Sequence, residues 1–186
     1  MIAGEKERGT LETTLTFPIK ISELITGKFI AILLCCLTTS FLGIILTVPS
    51  LFIIRFLSPT FADMQMGIGL INFLLAFLIL IIDSILASGL CILLTGRSKS
   101  FKEAQSALSI LVIPTFATMF TTMLGIDTNI FLSIVPLLNC GVLLNDVFFS
   151  TINISNLIAM LISSLIYILI IIKFISKQYK SEGTLF

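Results

Sequence analysis

The chain has 186 residues, of which 57 % are hydrophobic and only 11 % are charged, and its mean hydropathy is +1.17. Soluble domains carry about 25 % charged residues, so this composition excludes an ordinary soluble fold. The net charge of +1, without a basic block, gives no reason to expect a nucleic-acid partner. The chain has no histidine, which excludes His-based metal sites and Ser-His or Cys-His catalysis. None of the four cysteines forms a C-x-x-C pair, and we interpret them as small packing residues.

The first 28 residues form a charged segment that precedes any long apolar stretch. In this segment Gly9 predicts a turn, Thr10 predicts a helix N-cap, and Pro18 predicts the end of that short helix. Composition alone is compatible with a solvated linker beside the membrane. The spacing of Leu11 and Leu15 would also allow a helix that lies against a membrane surface or another subunit, although composition alone favours the linker.

Long apolar stretches follow, and each is long enough to cross a hydrocarbon core of about 30 Å as a helix. They predict an all-α membrane domain at residues 29–186, with spans at about 29–54, 70–94, 106–125 and 154–172. Small residues recur along the second span and predict the close approach of a neighbouring helix: Ala76, Ser84, Ala87, Ser88 and Gly89.

The second span also contains Asp83, near its middle. A carboxylate at the centre of a bilayer costs at least about 2.5–3.5 kcal/mol on insertion scales, so its presence needs a reason. One interpretation is a carboxylate on a cation pathway, facing the interior of the bundle. The other is a neutral Asp that hydrogen-bonds two helices together, and both interpretations stay open at this point.

Residues 128–145 are uncharged but short for a crossing, and they include Pro136 and Asn139. We interpret them as a re-entrant or interfacial helical hairpin on the outer side, broken at Pro136, which must pack against other spans or face water. Asn139 is a candidate pathway amide or a packing residue. Asp127 and Asp146 flank the hairpin and are expected to be solvated.

The Lys and Arg residues predict the orientation of the chain. With four spans, the segments outside the membrane contain 4, 1, 3, 0 and 3 of them in chain order, so ten of the eleven lie on one side. The positive-inside rule makes that side the cytoplasm, and both termini are therefore predicted to be cytoplasmic. A fifth span at 128–145 would weaken this asymmetry.

The charged N-terminal segment resembles the loop that follows the second span in permease subunits of type-2 ABC exporters. That loop reads roughly G-E-[KR]-E-x-G-T-L-E-x-L-L, then P, then E and G-K, and residues 4–28 follow it, with Thr14 and Phe17 as departures. In that family the loop contacts the ATPase subunit. The resemblance therefore implies a coupling role for residues 1–28, and in particular for Glu5, Glu7, Gly9, Thr10 and Glu12.

Three further pieces follow in order: F-K-E-A-Q at 101–105, P-L-L-N at 136–139, and the tail E-G-T-L-F at 182–186. This order is similar to that of the sodium-extruding permease NatB family, and the resemblance implies sodium efflux. No G-x-x-x-x-G-K-[ST] loop is present in the sequence. The resemblance thus implies that ATP is bound and hydrolysed on a separate subunit, and that this chain has no catalytic residue, metal site or bound cofactor.

Such permeases usually have another span, an extracellular domain and a second span before the coupling loop. We therefore expect this chain to be a C-terminal piece or a split gene product that does not transport alone. The implied partners are an ABC ATPase subunit, the lipid bilayer, and either the N-terminal half of the permease or a second copy in a dimeric transmembrane unit.

Three alternatives bear on function. The same architecture could export a peptide antibiotic or a lipid, and a membrane scaffold without transport would need no ATPase. An intramembrane aspartyl protease would need two facing membrane aspartates, and only Asp83 lies squarely within a predicted span.

Overall fold

The computed structural model describes residues 21–57, 69–96, 98, 100–149 and 151–183. All regular secondary structure in these residues is helical, which confirms the predicted all-α class. In chain order the helices are α1 (Ile21–Leu57), α2 (Leu70–Thr95), α3 (Phe101–Leu108), α4 (Val112–Met123), α5 (Ile130–Ile134), α6 (Leu138–Phe148) and α7 (Ile154–Gly183). A 3-10 turn, Ser109–Leu111, joins α3 to α4.

Four segments are long and apolar enough to cross a membrane, which confirms the predicted number of candidate spans: Ile25–Ile54, Leu70–Thr95, Phe101–Met123 and Ile154–Gln178. The protein is therefore a multi-pass membrane protein. The cytoplasmic location of the two termini stays a prediction, and so does the division into a coupling segment and a membrane domain.

The third span begins earlier than its hydropathy suggests. Helix α3 begins at Phe101, and its N-cap is Ser100, whose hydroxyl accepts a hydrogen bond from the Glu103 backbone N–H at 3.3 Å. The sequence S-F-K-E has the spacing of a capping box. Because this cap starts the helix among charged residues, the helix begins five residues before the apolar stretch predicted at residue 106, and the depth of that stretch in a membrane stays a prediction.

Helix α2 is the central helix of the bundle and packs against α1, α6 and α7. Its small residues permit this, as the sequence predicted: Ala76, Ser84, Ser88 and Gly89 are buried. A Cβ atom added at Gly89 would lie only 2.9 Å from Cγ2 of Ile171 on α7. The absence of a side chain at this position is thus what brings α2 and α7 into contact.

Two apolar cores lie along α2, one on each side of Asp83. The first, here called the outer core, is Ile44, Ala76, Ile79, Cys140, Leu143, Val147 and Met160. The second, the inner core, is Leu86, Ile92, Ile171 and Ile175. Asp83 and Ser84 come between Ile79 and Leu86 along the helix, so polar side chains separate the two cores.

The segment predicted to form a hairpin contains the two short helices α5 and α6, with residues 135–137 between them. Val135, which precedes Pro136, has an extended backbone, as steric contact with a proline ring requires. Leu137 has a φ of 65°, which is costly for a residue with a side chain. The helices are therefore separated at Pro136, while the depth of this hairpin in a membrane stays a prediction.

Candidate functional site: a polar cluster between two apolar cores

Asp83 is held in α2 at the junction of three helices. Its side chain is half-buried, and its Oδ1 atom is fully buried with no hydrogen-bond partner among the described residues. From α6, the thiol of Cys140 lies within hydrogen-bonding reach of the carboxyl group. From α1, Cys36 is close enough to interact with it electrostatically. A buried carboxyl oxygen without a partner is costly, which distinguishes Asp83 from a fully paired structural Asp.

The next residue, Ser84, connects α2 to α1. Its hydroxyl lies 3.1 Å from that of Ser40 and donates to the Leu80 carbonyl oxygen at 2.7 Å. Since the Ser84 proton is used in the bond to Leu80, Ser40 is the donor in the bond between the two hydroxyls. This contact places a second polar side chain of α2 at the level of Asp83.

Asn139, the other predicted pathway residue, is completely buried at the start of α6. Its Nδ2 donates to the Ser164 hydroxyl of α7 at 3.4 Å, and its Oδ1 accepts from the Cys140 backbone N–H at 2.7 Å. Both ends of the amide are therefore occupied. This geometry gives Asn139 a clear packing role, and a role in a pathway stays a prediction.

A second set of hydrogen bonds links Thr128 to the hairpin and joins this region to the half of α7 nearer Ile154. Thr128 donates from its hydroxyl to Asp146 Oδ1 at 2.7 Å, and the Thr128 carbonyl oxygen accepts from Asn156 Nδ2 at 2.9 Å. The Ser163 hydroxyl donates to the Ser133 carbonyl oxygen at 3.3 Å.

These bonds bear on the two aspartates that flank the hairpin. Asp127 is exposed, as expected, but Asp146 is only 7 % exposed, so the prediction of a solvated Asp146 was wrong. Burial raises the pKa of Asp146, while its hydrogen bonds with Thr128 and Thr151 oppose that rise. Hydropathy could not predict this burial, because it depends on how the hairpin folds Thr128 and Thr151 onto Asp146.

The residues at the junction form one group, here called the polar cluster: Ser40, Asp83, Ser84, Asn139, Cys140 and Ser164. Asp83 lies within reach of the Cys140 thiol, and Asn139 is the residue before Cys140 in α6. Sequence reasoning missed Ser40 and Ser164 and interpreted Cys140 as packing alone. Hydroxyls are common in membrane helices, and only their spacing against a partner helix could have identified these.

The polar cluster contains one carboxyl group, three hydroxyls, one amide and the Cys140 thiol, and the thiol is the group within hydrogen-bonding reach of the carboxyl. Carboxylate, hydroxyl and amide oxygens suit hard cations. No group of three or more His, Cys, Asp or Glu side chains that could hold a metal ion occurs in the described residues.

A separate cavity of about 330 Å³ lies at the outer-core end of α1 and α2. Its lining is Val48, Leu51, Phe52, Gly69, Leu70, Phe73 and Phe148. These residues offer no charged or hydroxyl group, so the cavity suits an apolar group and does not suit a cation. The proposed coupling residues Glu5, Glu7, Gly9, Thr10 and Glu12 lie outside the described residues.

The family described as "ABC-2 family transporter protein" matches residues 1–173 of the chain. No curated protein and no solved structure matches it.

Proposed function

We propose, from the premise that this chain belongs to the ABC-2 transporter family, that it forms part of the translocation pathway of an ATP-driven exporter. As a permease component, the chain is a transmembrane part of an ABC transporter and is not itself catalytic. The family implies an ABC ATPase partner in the membrane assembly. The observation that carries this proposal is the extent of the match, which takes in the charged N-terminal segment and most of the four candidate spans.

In this proposal ATP is bound by the ATPase subunit, and this chain receives the conformational change through residues 1–28. The acidic residues Glu5, Glu7 and Glu12 would contact that subunit. Charge-assisted hydrogen bonds at a solvated interface guide docking and specificity more than they stabilise a fold. Their removal should therefore weaken association and leave the membrane bundle intact.

The experiment is co-purification of the chain with its ATPase subunit from membranes that contain the complete transporter. We expect the triple substitution Glu5→Ala, Glu7→Ala, Glu12→Ala to insert normally but to retain much less ATPase, or to hydrolyse ATP without transport. Asp127→Ala, which removes an exposed carboxylate on the far side of the bundle, is the control and should change neither. Full association together with full transport in the triple variant would reject the coupling role.

Sodium is the substrate that we propose first, because Asp83 has a buried carboxyl oxygen without a partner in a candidate span, one residue before the Ser84 hydroxyl that contacts Ser40. The similarity of the sequence order to sodium-extruding permeases supports the same choice. The apolar cavity between α1 and α2 favours a second candidate, an apolar substrate such as a lipid or a hydrophobic peptide. The two candidates make opposite predictions for substitution of Asp83.

A further inference from the structure

Three lysines lie exposed at the inner-core end of the bundle: Lys102 on α3, and Lys173 and Lys177 on α7. Within the described part of the chain, no acidic side chain pairs with any of them. This distinguishes them from Lys28, which has an interaction of its own at the same end. The three lysines, here called the basic rim, come from two segments that are about seventy residues apart in the sequence.

A close contact between α2 and α7 places the two parts of the basic rim at the same end. A Cβ atom at Gly96, which follows α2, would lie 2.7 Å from Nε2 of Gln178 on α7. Lys177 directly precedes Gln178, and Lys102 is the second residue of α3, the next helix after Gly96. The inner core, in which Ile92 and Ile175 belong to one cluster, holds the same two helix ends together.

The charges of the basic rim are not balanced within the described residues. Lys173 and Lys177 are four residues apart, so they project from the same face of α7, where like charges repel. The described acidic side chains at this end are Glu23 and Glu103, and Glu103 has an interaction of its own. An anion bound between the lysines would relieve this repulsion.

Aromatic side chains identify the kind of anion. Phe101, next to Lys102, is 61 % exposed, and Phe174, next to Lys173, is 56 % exposed. At the end of a membrane span, a lysine extends toward the headgroups while a neighbouring apolar side chain stays in the hydrocarbon. A free phosphate ion has no apolar part that could cover the two phenylalanine rings. An acidic protein surface bound from the water side could pair with the lysines but would not cover the phenylalanine rings at the hydrocarbon boundary.

We propose that the basic rim binds the phosphate group of an anionic phospholipid, whose acyl chains lie against Phe101 and Phe174. Each basic residue near an anionic headgroup strengthens binding by about fivefold. Three lysines therefore predict a large preference for an anionic lipid over a zwitterionic one. This inference does not depend on the transported substrate or on the coupling role of residues 1–28.

The test is thermal unfolding of the full purified chain in detergent, titrated with phosphatidylglycerol or phosphatidylcholine. We expect phosphatidylglycerol to raise the unfolding midpoint at a concentration at least about tenfold lower than phosphatidylcholine does. In Lys102→Gln, Lys173→Gln, Lys177→Gln the preference should fall below about twofold. The matched variant with arginine at the same three positions should keep it, and Arg55→Gln, which removes a positive charge at the other end of the bundle, should also keep it.

Four results would overturn the proposal. The first is an equal response of the wild-type chain to both lipids, and the second is a preference that the glutamine variant keeps in full. Stabilisation of the wild-type chain by inorganic phosphate to the same extent would indicate a free-anion site. Loss of ATPase association in the glutamine variant, without any lipid preference in the wild-type chain, would indicate a protein interface. If the glutamine variant does not fold, the lipid preference of the wild-type chain is measured again at about 1 M NaCl. A preference that this salt concentration leaves unchanged is not electrostatic and would also overturn the proposal.

Discussion

The two halves of α7 contact the rest of the bundle in different ways. In the half nearer Ile154, polar side chains bind the hairpin: Asn156 and Ser163 donate to backbone carbonyl oxygens, and Ser164 accepts from Asn139. In the half nearer Gly183, the contact is apolar and very close, with Ile171 against the bare backbone of Gly89. One helix is therefore held by hydrogen bonds at one end and by close packing at the other.

The two kinds of contact differ in how much displacement they allow: the packed half of α7 is fixed against α2, and the hydrogen-bonded half can rearrange against the hairpin. Close packing of an isoleucine on a glycine tolerates little displacement, because protein interiors are dense. Side-chain hydrogen bonds between membrane helices are individually weak, about 0.6 kcal/mol on average, and can exchange partners. Asp83 lies between the two regions, and Cys140, which is within its reach, belongs to the hairpin side. A displacement of the hairpin would thus change the surroundings of Asp83 and leave the contact between α2 and α7 in place.

The largest predicted loss of stability comes from a substitution in the closely packed contact between α2 and α7. Gly89→Leu places a side chain where even a Cβ atom would lie 2.9 Å from Ile171, so we expect a loss of stability of about 3 kcal/mol. Gly43→Leu on α1 is the matched control, since nothing lies within 4 Å of a Cβ atom at that position. The measurement is the unfolding midpoint in detergent. Equal midpoints for the two variants would contradict the close contact of α2 with α7.

A smaller effect is predicted for the hydrogen-bonded half. Asn139→Ala leaves the Cys140 N–H and the Ser164 hydroxyl without their partner in a buried site, which should cost about 1–2 kcal/mol. Asn129→Ala is the control, because Asn129 is exposed and its side chain makes no capping bond. A double-mutant cycle with Ser164→Ala should give a coupling energy of about 0.6 kcal/mol. A coupling of zero would show that the bond between these side chains contributes nothing.

The smallest predicted effect is a pH dependence of stability that comes from Asp146, near the end of α6. Because burial raises the pKa of Asp146, the folded state holds the proton more tightly than the unfolded state does. Tighter proton binding by the folded state stabilises it below about pH 4, which is the ordinary pKa of an Asp. This contribution is lost as the pH rises through the raised pKa of Asp146. Unfolding midpoints measured across this range should therefore fall with rising pH in the wild-type chain.

In Asp146→Asn this decline should be absent. Asp127→Asn should keep most of it, because the charge of Asp127 contributes less than burial does to the raised pKa of Asp146. Identical pH profiles for the wild-type chain and Asp146→Asn would show that the buried carboxyl group has no influence on stability.

Hydropathy was sufficient to predict the spans, because a helix in a bilayer must satisfy its backbone internally and needs a minimum apolar length. The small residues of α2 likewise predicted the contact made at Gly89. Both features depend on residues close together in the sequence. The start of α3 at Phe101 was missed because a capping hydroxyl at Ser100, and not hydropathy, decides it.

The candidate site could be predicted only in part. Asp83 was evident because a charge in an apolar span is conspicuous, but its neighbours Cys140 and Ser84 are ordinary residues in any membrane helix. Their importance depends on which helices meet, and contacts between α2 and α6 join residues more than fifty positions apart. The burial of Asp146 was missed because it depends on how the hairpin folds onto itself, with Thr128 and Thr151 as the partners of the carboxyl group.

If Asp83 is the carboxylate of a sodium pathway, as we propose, its substitution should change the sodium tolerance of cells that contain the complete transporter. Asp83→Asn keeps the size of the side chain and removes its charge, and Asp83→Glu keeps the charge at a shifted position. Asp127→Asn, at an exposed position outside the polar cluster, is the control and should behave as the wild-type chain. Protein levels in the membrane must be equal in all strains.

We predict that Asp83→Asn abolishes sodium-dependent growth protection and that Asp83→Glu retains part of it. A helix-packing Asp would behave in the opposite way, because asparagine would substitute for it well and the longer glutamate would disturb the contact with Cys140. Full sodium tolerance with asparagine at position 83, at normal protein level, would contradict the pathway role.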